Sequence, residues 1–111
     1  MKHQMNLCPE PFAMIVSGSK TIEMRLNKES RKLIKIGDTI EFTNNKTGEK
    51  IECSVLAKYE YKDFEELYKH HNKMSIGYLE NEEANPDDML VYYSKEDIIK
   101  YGVVGIEIKA L

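Results

Sequence analysis

The chain has 111 residues, 41% hydrophobic and 32% charged, with 16 basic and 19 acidic residues for a net charge of −3. That composition excludes a wholly disordered chain, its acidic balance excludes wholesale coating of a nucleic-acid duplex, and its length fits one domain over residues 1–111. No run approaches the ~18 apolar residues that span a bilayer, and the first residues hold no apolar block of signal-peptide length, so a cytoplasmic location without a membrane partner is expected.

Gln4 to Leu7 reads as a short edge strand. Pro9-Glu10-Pro11 then opens a helix, because proline suits the first turn. Phe12, Ile15 and Val16 recur at i, i+3 and i+4 on its apolar face, and Gly18 closes it as a left-handed cap. Lys20 to Arg25 alternates as a strand does, with Ile22 and Met24 on one side and Thr21, Glu23 and Arg25 on the other. Asn27 to Lys35 is a basic loop. A turn at Lys35–Asp38 leads into a strand at Thr39–Thr43, a hairpin loop at Asn44–Gly48 and a long strand from Glu49 to about Tyr59.

Asp63, with Glu66 three residues on, forms a capping box for a helix whose apolar stripe is Phe64, Leu67, Tyr68 and His71. Residues 74–84 are irregular. Asn85-Pro86-Asp87-Asp88 starts a short helix ending near Tyr93, and Ser94 with Asp97 caps another that Gly102 stops. The last strand runs from Val103 to Leu111, with Val104, Ile106 and Ile108 against Gly105, Glu107 and Lys109. Strands with helices inserted between them favour an α+β class and a small mixed barrel.

Charge is unevenly placed. Residues 1–50 sum to +3 and residues 51–111 to −6. Lys20, Arg25, Lys28, Arg31, Lys32 and Lys35 cluster in one basic segment, and seven acids lie between Glu80 and Asp97. A basic patch on an acidic protein suits a small anionic ligand or a single nucleic-acid strand, whereas two solvated faces are the plainer alternative.

The sharpest pattern is Gly18-Ser19-Lys20-Thr21-Ile22-Glu23-Met24-Arg25. Two strand residues apart, Glu23 and Arg25 share a face and can offer an acceptor and a planar five-donor fork to one ligand, with Lys20 as a point cation at the strand mouth. An exposed Glu–Arg ion pair worth ~0–1 kcal/mol is the structural alternative. On that alternative as on the functional one, removing Lys20 or Arg25 is expected to leave the fold intact.

This octet fits G-x-K-x-x-E-x-R and resembles the signature of the ASCH family, whose fold is similar to the PUA domain. The Ile36-Gly37-Asp38 turn and the closing Tyr101–Ile108 segment agree with it, so the resemblance extends from about Leu7 to Leu111. It implies a PUA-like mixed β-barrel with helices at the barrel ends and a cleft beside the motif. It also implies an RNA or modified-nucleotide ligand met by Lys20, Glu23 and Arg25, with Tyr93 and Ser94 contributed by the late segment. One branch of the family is an amidohydrolase on acetylated cytidine. That branch has a threonine nucleophile where Glu23 stands here, and a glutamate whose counterpart falls near Asn72; Glu65, Glu66 or Glu80 are the acids that could stand in. In a hydrolytic reading Glu23 would be general base on a water and Lys20 or Arg25 would stabilise the oxyanion. A third reading is a protein–protein module using the acidic 80–97 face.

No cofactor or metal is expected. Adjacent His70 and His71 point ~100° apart on a helix and cannot share one ion well, and His71 reads as a hydrogen-bonded residue at the core margin. No P-loop or dinucleotide motif occurs. Cys8 and Cys53 read as free, buried thiols. Among the seven tyrosines, Tyr59 and Tyr61 share a strand face and Tyr92-Tyr93 precede Ser94; rings beside a cleft can stack on unpaired bases.

Overall fold

A computed structural model describes residues 1–111. One mixed sheet of five strands carries the fold, in the order β1-β3-β4-β5-β2. The strands are β1 (Lys2–Leu7), β2 (Ile22–Leu26), β3 (Thr39–Asn44), β4 (Lys50–Tyr61) and β5 (Val103–Ala110). β1 runs parallel to β3 and every other neighbouring pair is antiparallel. The class is α+β, as expected, with four α-helices: α1 (Pro9–Ser17), α2 (Glu29–Lys32), α3 (Phe64–His70) and α4 (Lys95–Tyr101). A 3₁₀ turn, here η1, covers Pro86–Val91.

The sheet curls until its edges meet. Arg25 on β2 donates from Nη2 to the carbonyl of Asn6 on β1 at 2.9 Å, although these strands stand at opposite ends of the sheet order. A β-bulge between Val55 and Ala57 adds local twist on β4. β5 is central and covered on both sides, so Val103 through Ile106 are buried without interruption. The alternation expected there is overridden because a central strand between two layers has no wet face. β2 is likewise buried on both faces: Glu23 is 3% exposed although it lies opposite Ile22 and Met24.

Two cores result. One, centred on Ile40, Phe42, Val55 and Ile106, fills the curl beneath Phe12 and Ile15 of α1. The other joins Ile22, Met24 and Leu26 to Phe64, Leu67, Met89 and Ile98 from the helices. Local chemistry sets the helix ends. Gly18 caps α1 at φ +86°, Asp63 accepts from the Glu66 amide, Asn85 from the Asp87 amide and Ser94 from the Asp97 amide. Each side-chain oxygen satisfies one amide that the helix leaves unpaired.

Several expectations change. Val16 is half exposed, so the buried face of α1 is Phe12 and Ile15. Residues 29–32 of the basic loop form one helical turn, α2. His71 lies just past α3 and not on its stripe, but it is hydrogen-bonded as expected, its Nε2 2.9 Å from the Tyr61 hydroxyl. Cys53 is buried but Cys8 is exposed at the start of α1. No helix is long and apolar enough to cross a membrane.

Candidate functional site

The motif folds as a glycine-capped helix end followed at once by an edge strand. This drops Lys20, Glu23 and Arg25 beneath the 72–79 turns. The amides of Thr21 and Ile22 both donate to the Ser75 carbonyl at 2.9 Å, fastening those turns over the strand mouth. Gly77 lies directly above the lysine, since a Cβ there would sit 3.6 Å from Lys20 Cδ.

The three charges form a buried triad. Lys20 Nζ is 2.9 Å from Glu23 Oε1, and Arg25 Nε donates to Glu23 Oε2 at 2.7 Å. Each carboxylate oxygen therefore has its own cation. Burial by itself would raise the Glu23 carboxyl, but Lys20 and Arg25 outweigh it through charge and hydrogen bonding and hold it below the usual range. Glu23 is an ionised anchor. Arg25 spends Nε on Glu23 and Nη2 on Asn6, while Nη1 makes no hydrogen bond within the protein. Arg31 lies close enough that burial and then the Arg25 charge lower its own proton affinity.

The basic segment is exposed at Lys28, Lys32 and Lys35, but the expectation fails at its motif lysine. Lys20 is 8% exposed and neutralised by Glu23. The expectation that Lys20 and Arg25 are dispensable for folding changes with it. One is a buried cation and the other bridges the two sheet edges.

The triad forms one wall of a cavity of about 790 Å³. That volume is within the range of small-molecule sites, ~300–1,000 Å³. The same cavity is lined by four tyrosines, Tyr68, Tyr78, Tyr92 and Tyr93, with Met89 and Val91 from η1. Tyr78 is the hub of a hydrogen-bonded chain: its hydroxyl is 2.9 Å from the Tyr68 hydroxyl and donates to Asp88 Oδ2 at 2.7 Å. Burial, the Tyr68 hydroxyl and the Asp88 carboxylate all push the Tyr78 phenol up, so it stays a donor. Tyr93 is packed flat against Phe64, with ring centroids 6.0 Å apart, and burial raises its phenol. Tyr92 is 65% exposed at the cavity mouth.

Of the residues picked from sequence, Lys20, Glu23, Arg25 and Tyr93 line the cavity together, whereas Ser94 caps α4 outside it. Glu65, Glu66 and Glu80 lie outside as well; the acids that line it are Glu10, Glu23, Glu82 and Asp88. Sequence reasoning does not single out Tyr68, Tyr78 or Asp88, whereas Tyr92, named beside Tyr93, does line the cavity. Asn85-Pro86 marks the start of η1, but a 3₁₀ turn aligns residues three apart, and a helical wheel drawn at 3.6 misplaces them. Tyr59 bonds to Glu107 and Tyr61 to His71, away from this cavity.

The sequence profile of the ASCH domain matches residues 5–111. The chain belongs to the ASCH family. The hypothetical protein PH0355, known from a crystal structure, is 32% identical to this ASCH chain, with a TM-score of 0.87 and full coverage of both chains. Protein PF0455 from Pyrococcus furiosus, solved by NMR in solution, is also 32% identical, with a TM-score of 0.76 over 100% of this chain and 98% of its own. The ASCH protein from Zymomonas mobilis is 17% identical with a TM-score of 0.58, covering 98% of this chain and 69% of that one, and supports the fold alone. No curated protein matches the chain.

Proposed function

We propose that this ASCH domain binds RNA or a modified nucleotide by taking one unpaired base into the cavity. The observation that carries the reading is that a fixed charged triad, Lys20–Glu23–Arg25, and four tyrosines line one cavity. A planar base has a π-face for a tyrosine and polar edges for the charged wall. Stacking on an aromatic side chain is worth about 1–3 kcal/mol per base. Arg25 Nη1 is the free donor of the motif, and Lys20 and Glu23 set its direction.

The hydrolytic alternative has less behind it. A carboxylate held ionised between two cations is a weak general base at neutral pH. The acidic-face alternative shares Glu82 and Asp88 with the lining of the cavity.

The test is a fluorescence titration of short single-stranded RNAs against the native domain, Tyr92→Ala and Arg25→Gln, with melting temperatures alongside. Micromolar or tighter binding that weakens in Tyr92→Ala at unchanged melting temperature supports the proposal. Native protein that binds no RNA, nucleotide or nucleoside overturns it.

A further inference from the structure

The proposed base site contains a choice about the ligand's chemistry, and it rests with a residue outside the motif. A base edge that offers an N–H needs an acceptor. Glu23 is the motif's acceptor, but both its oxygens are engaged by cations and it is 3% exposed. Elsewhere in the lining the Glu82 carboxylate is turned to its own loop, where Oε1 accepts from the Leu79 amide at 2.7 Å. Asp88 is different. Its Oδ2 takes the Tyr78 hydroxyl, its Oδ1 makes no hydrogen bond within the protein, and the residue is exposed to the cavity.

The placement of Asp88 is also specific. Residues three apart on a 3₁₀ turn stand one above the other, so Asp88 and Val91 share one side of η1, and Tyr92 follows at its end. One short element thus presents an acceptor, an apolar contact and an exposed ring to the same space. The charge balance of the lining points the same way: four carboxylates against two cations, both cations already paired to Glu23. A phosphate entering this space would meet one free cationic donor, Arg25 Nη1, and an excess of negative charge.

We propose that Asp88 is the specificity-determining residue of the cavity. It selects an uncharged base that presents an exocyclic amine, and phosphates of the same ligand stay outside. This rests on the reading of the cavity as a base site. The same chemistry could be supplied by a free nucleoside or by one residue of an RNA strand, and the two are told apart by length dependence.

The experiment measures affinity by calorimetry for two pairs in which a carbonyl replaces the exocyclic amine and the adjacent ring nitrogen gains a proton, cytidine against uridine and adenosine against inosine. The 5′-monophosphates and a short oligonucleotide are added, each at 50 and 200 mM salt. Native protein is compared with Asp88→Asn and with Glu80→Gln, with thermal melts on all three.

The expected result is at least about a tenfold preference for the amine-bearing member of each pair, since hydrogen bonds to charged groups are the stronger class. That preference falls severalfold in Asp88→Asn at unchanged melting temperature. Glu80→Gln keeps the preference, because Glu80 lies outside the cavity. Nucleoside affinity changes less than twofold between the two salts. Two phosphate contacts to a single strand would instead change it about sevenfold, from a slope of ~0.7 per contact.

Equal binding within each pair, or Asp88→Asn behaving as native, overturns the role of Asp88 while leaving a base site standing. Monophosphates binding tighter than nucleosides, with a steep salt slope, overturn the exclusion of phosphate. Failure of every nucleoside, nucleotide and oligonucleotide to bind removes the base site itself and this inference with it. An oligonucleotide that binds much tighter than any nucleoside identifies the strand as the source, and equal affinity identifies the free nucleoside.

Discussion

Replacing Glu23 by glutamine removes one negative charge and almost no volume. It leaves Lys20 and Arg25, with side chains 9% and 17% exposed, facing each other across a neutral amide. Breaking a buried ion pair by removing one partner costs about 3–5 kcal/mol, because the remaining charge is uncompensated. Unfolding entropy of ~2.1 cal/mol/K per residue over 111 residues gives about 230 cal/mol/K. Each kcal/mol then moves the melting temperature by about 4 °C, so a fall of about 13–21 °C is expected by calorimetry at pH 7. The loss depends on pH in a defined direction. The folded Glu23 carboxyl titrates below its unfolded value, so its contribution is full above the unfolded pKa and disappears as pH falls through the folded one. The gap between native and Glu23→Gln melting temperatures therefore narrows in acid. Replacing Lys20 and Glu23 together by methionine should recover part of the loss, since apolar residues of similar size often substitute for buried ion pairs at little cost. A Glu23→Gln protein melting within about 4 °C of native at pH 7, or a gap that stays constant down to pH 3, would refute the buried triad as a structural element.

Three further outcomes follow from the same coordinates. Tyr92→Ala, at an exposed position on the cavity mouth, should lose about 1–3 kcal/mol of base affinity while melting within a few degrees of native; equal losses of both would mean Tyr92 is structural. Cys53, whose thiol burial pushes up to about 11, should resist a thiol reagent in the native protein while Cys8 reacts; one thiol should titrate without denaturant and two with it. Gly102 stands at φ +69°, and a Cβ there would lie 3.0 Å from the Tyr61 carbonyl, so Gly102→Ala should cost about 1–3 kcal/mol, read as a chemical-denaturation midpoint shift.

The local signals in this chain were strong wherever one residue type satisfies one backbone need. Gly18, Asp63, Asn85 and Ser94 all act at helix ends as their chemistry demands. The motif was legible because Gly18 to Arg25 is contiguous, and its three charges meet in space. What could not be read was burial. On β2 an alternating pattern suggests a wet face for Glu23 and Arg25, but that face is covered by the 72–79 turns and η1, which arrive from far along the chain. The same holds for the rest of the cavity. Tyr68, Tyr78 and Asp88 are dispersed in sequence, and only tertiary packing draws their oxygens into one hydrogen-bonded chain. The reading of Glu23 as an open acceptor failed for that reason. Its partners were visible, but not that together they use both of its oxygens.

The strand order has a consequence for how the protein is made. β2, which carries the motif, pairs with β5 alone, and β5 begins roughly 80 residues after β2 ends. At ~5–20 residues per second on the ribosome, the motif strand waits roughly 4–16 s for its only ladder partner. During that interval β1, β3 and β4 can already be joined. The charged strand is then the last to be stitched in, and its lysine, glutamate and arginine keep it hydrated until the partner emerges. The same three residues that anchor the cavity would guard an unpaired strand against its neighbours on a crowded polysome.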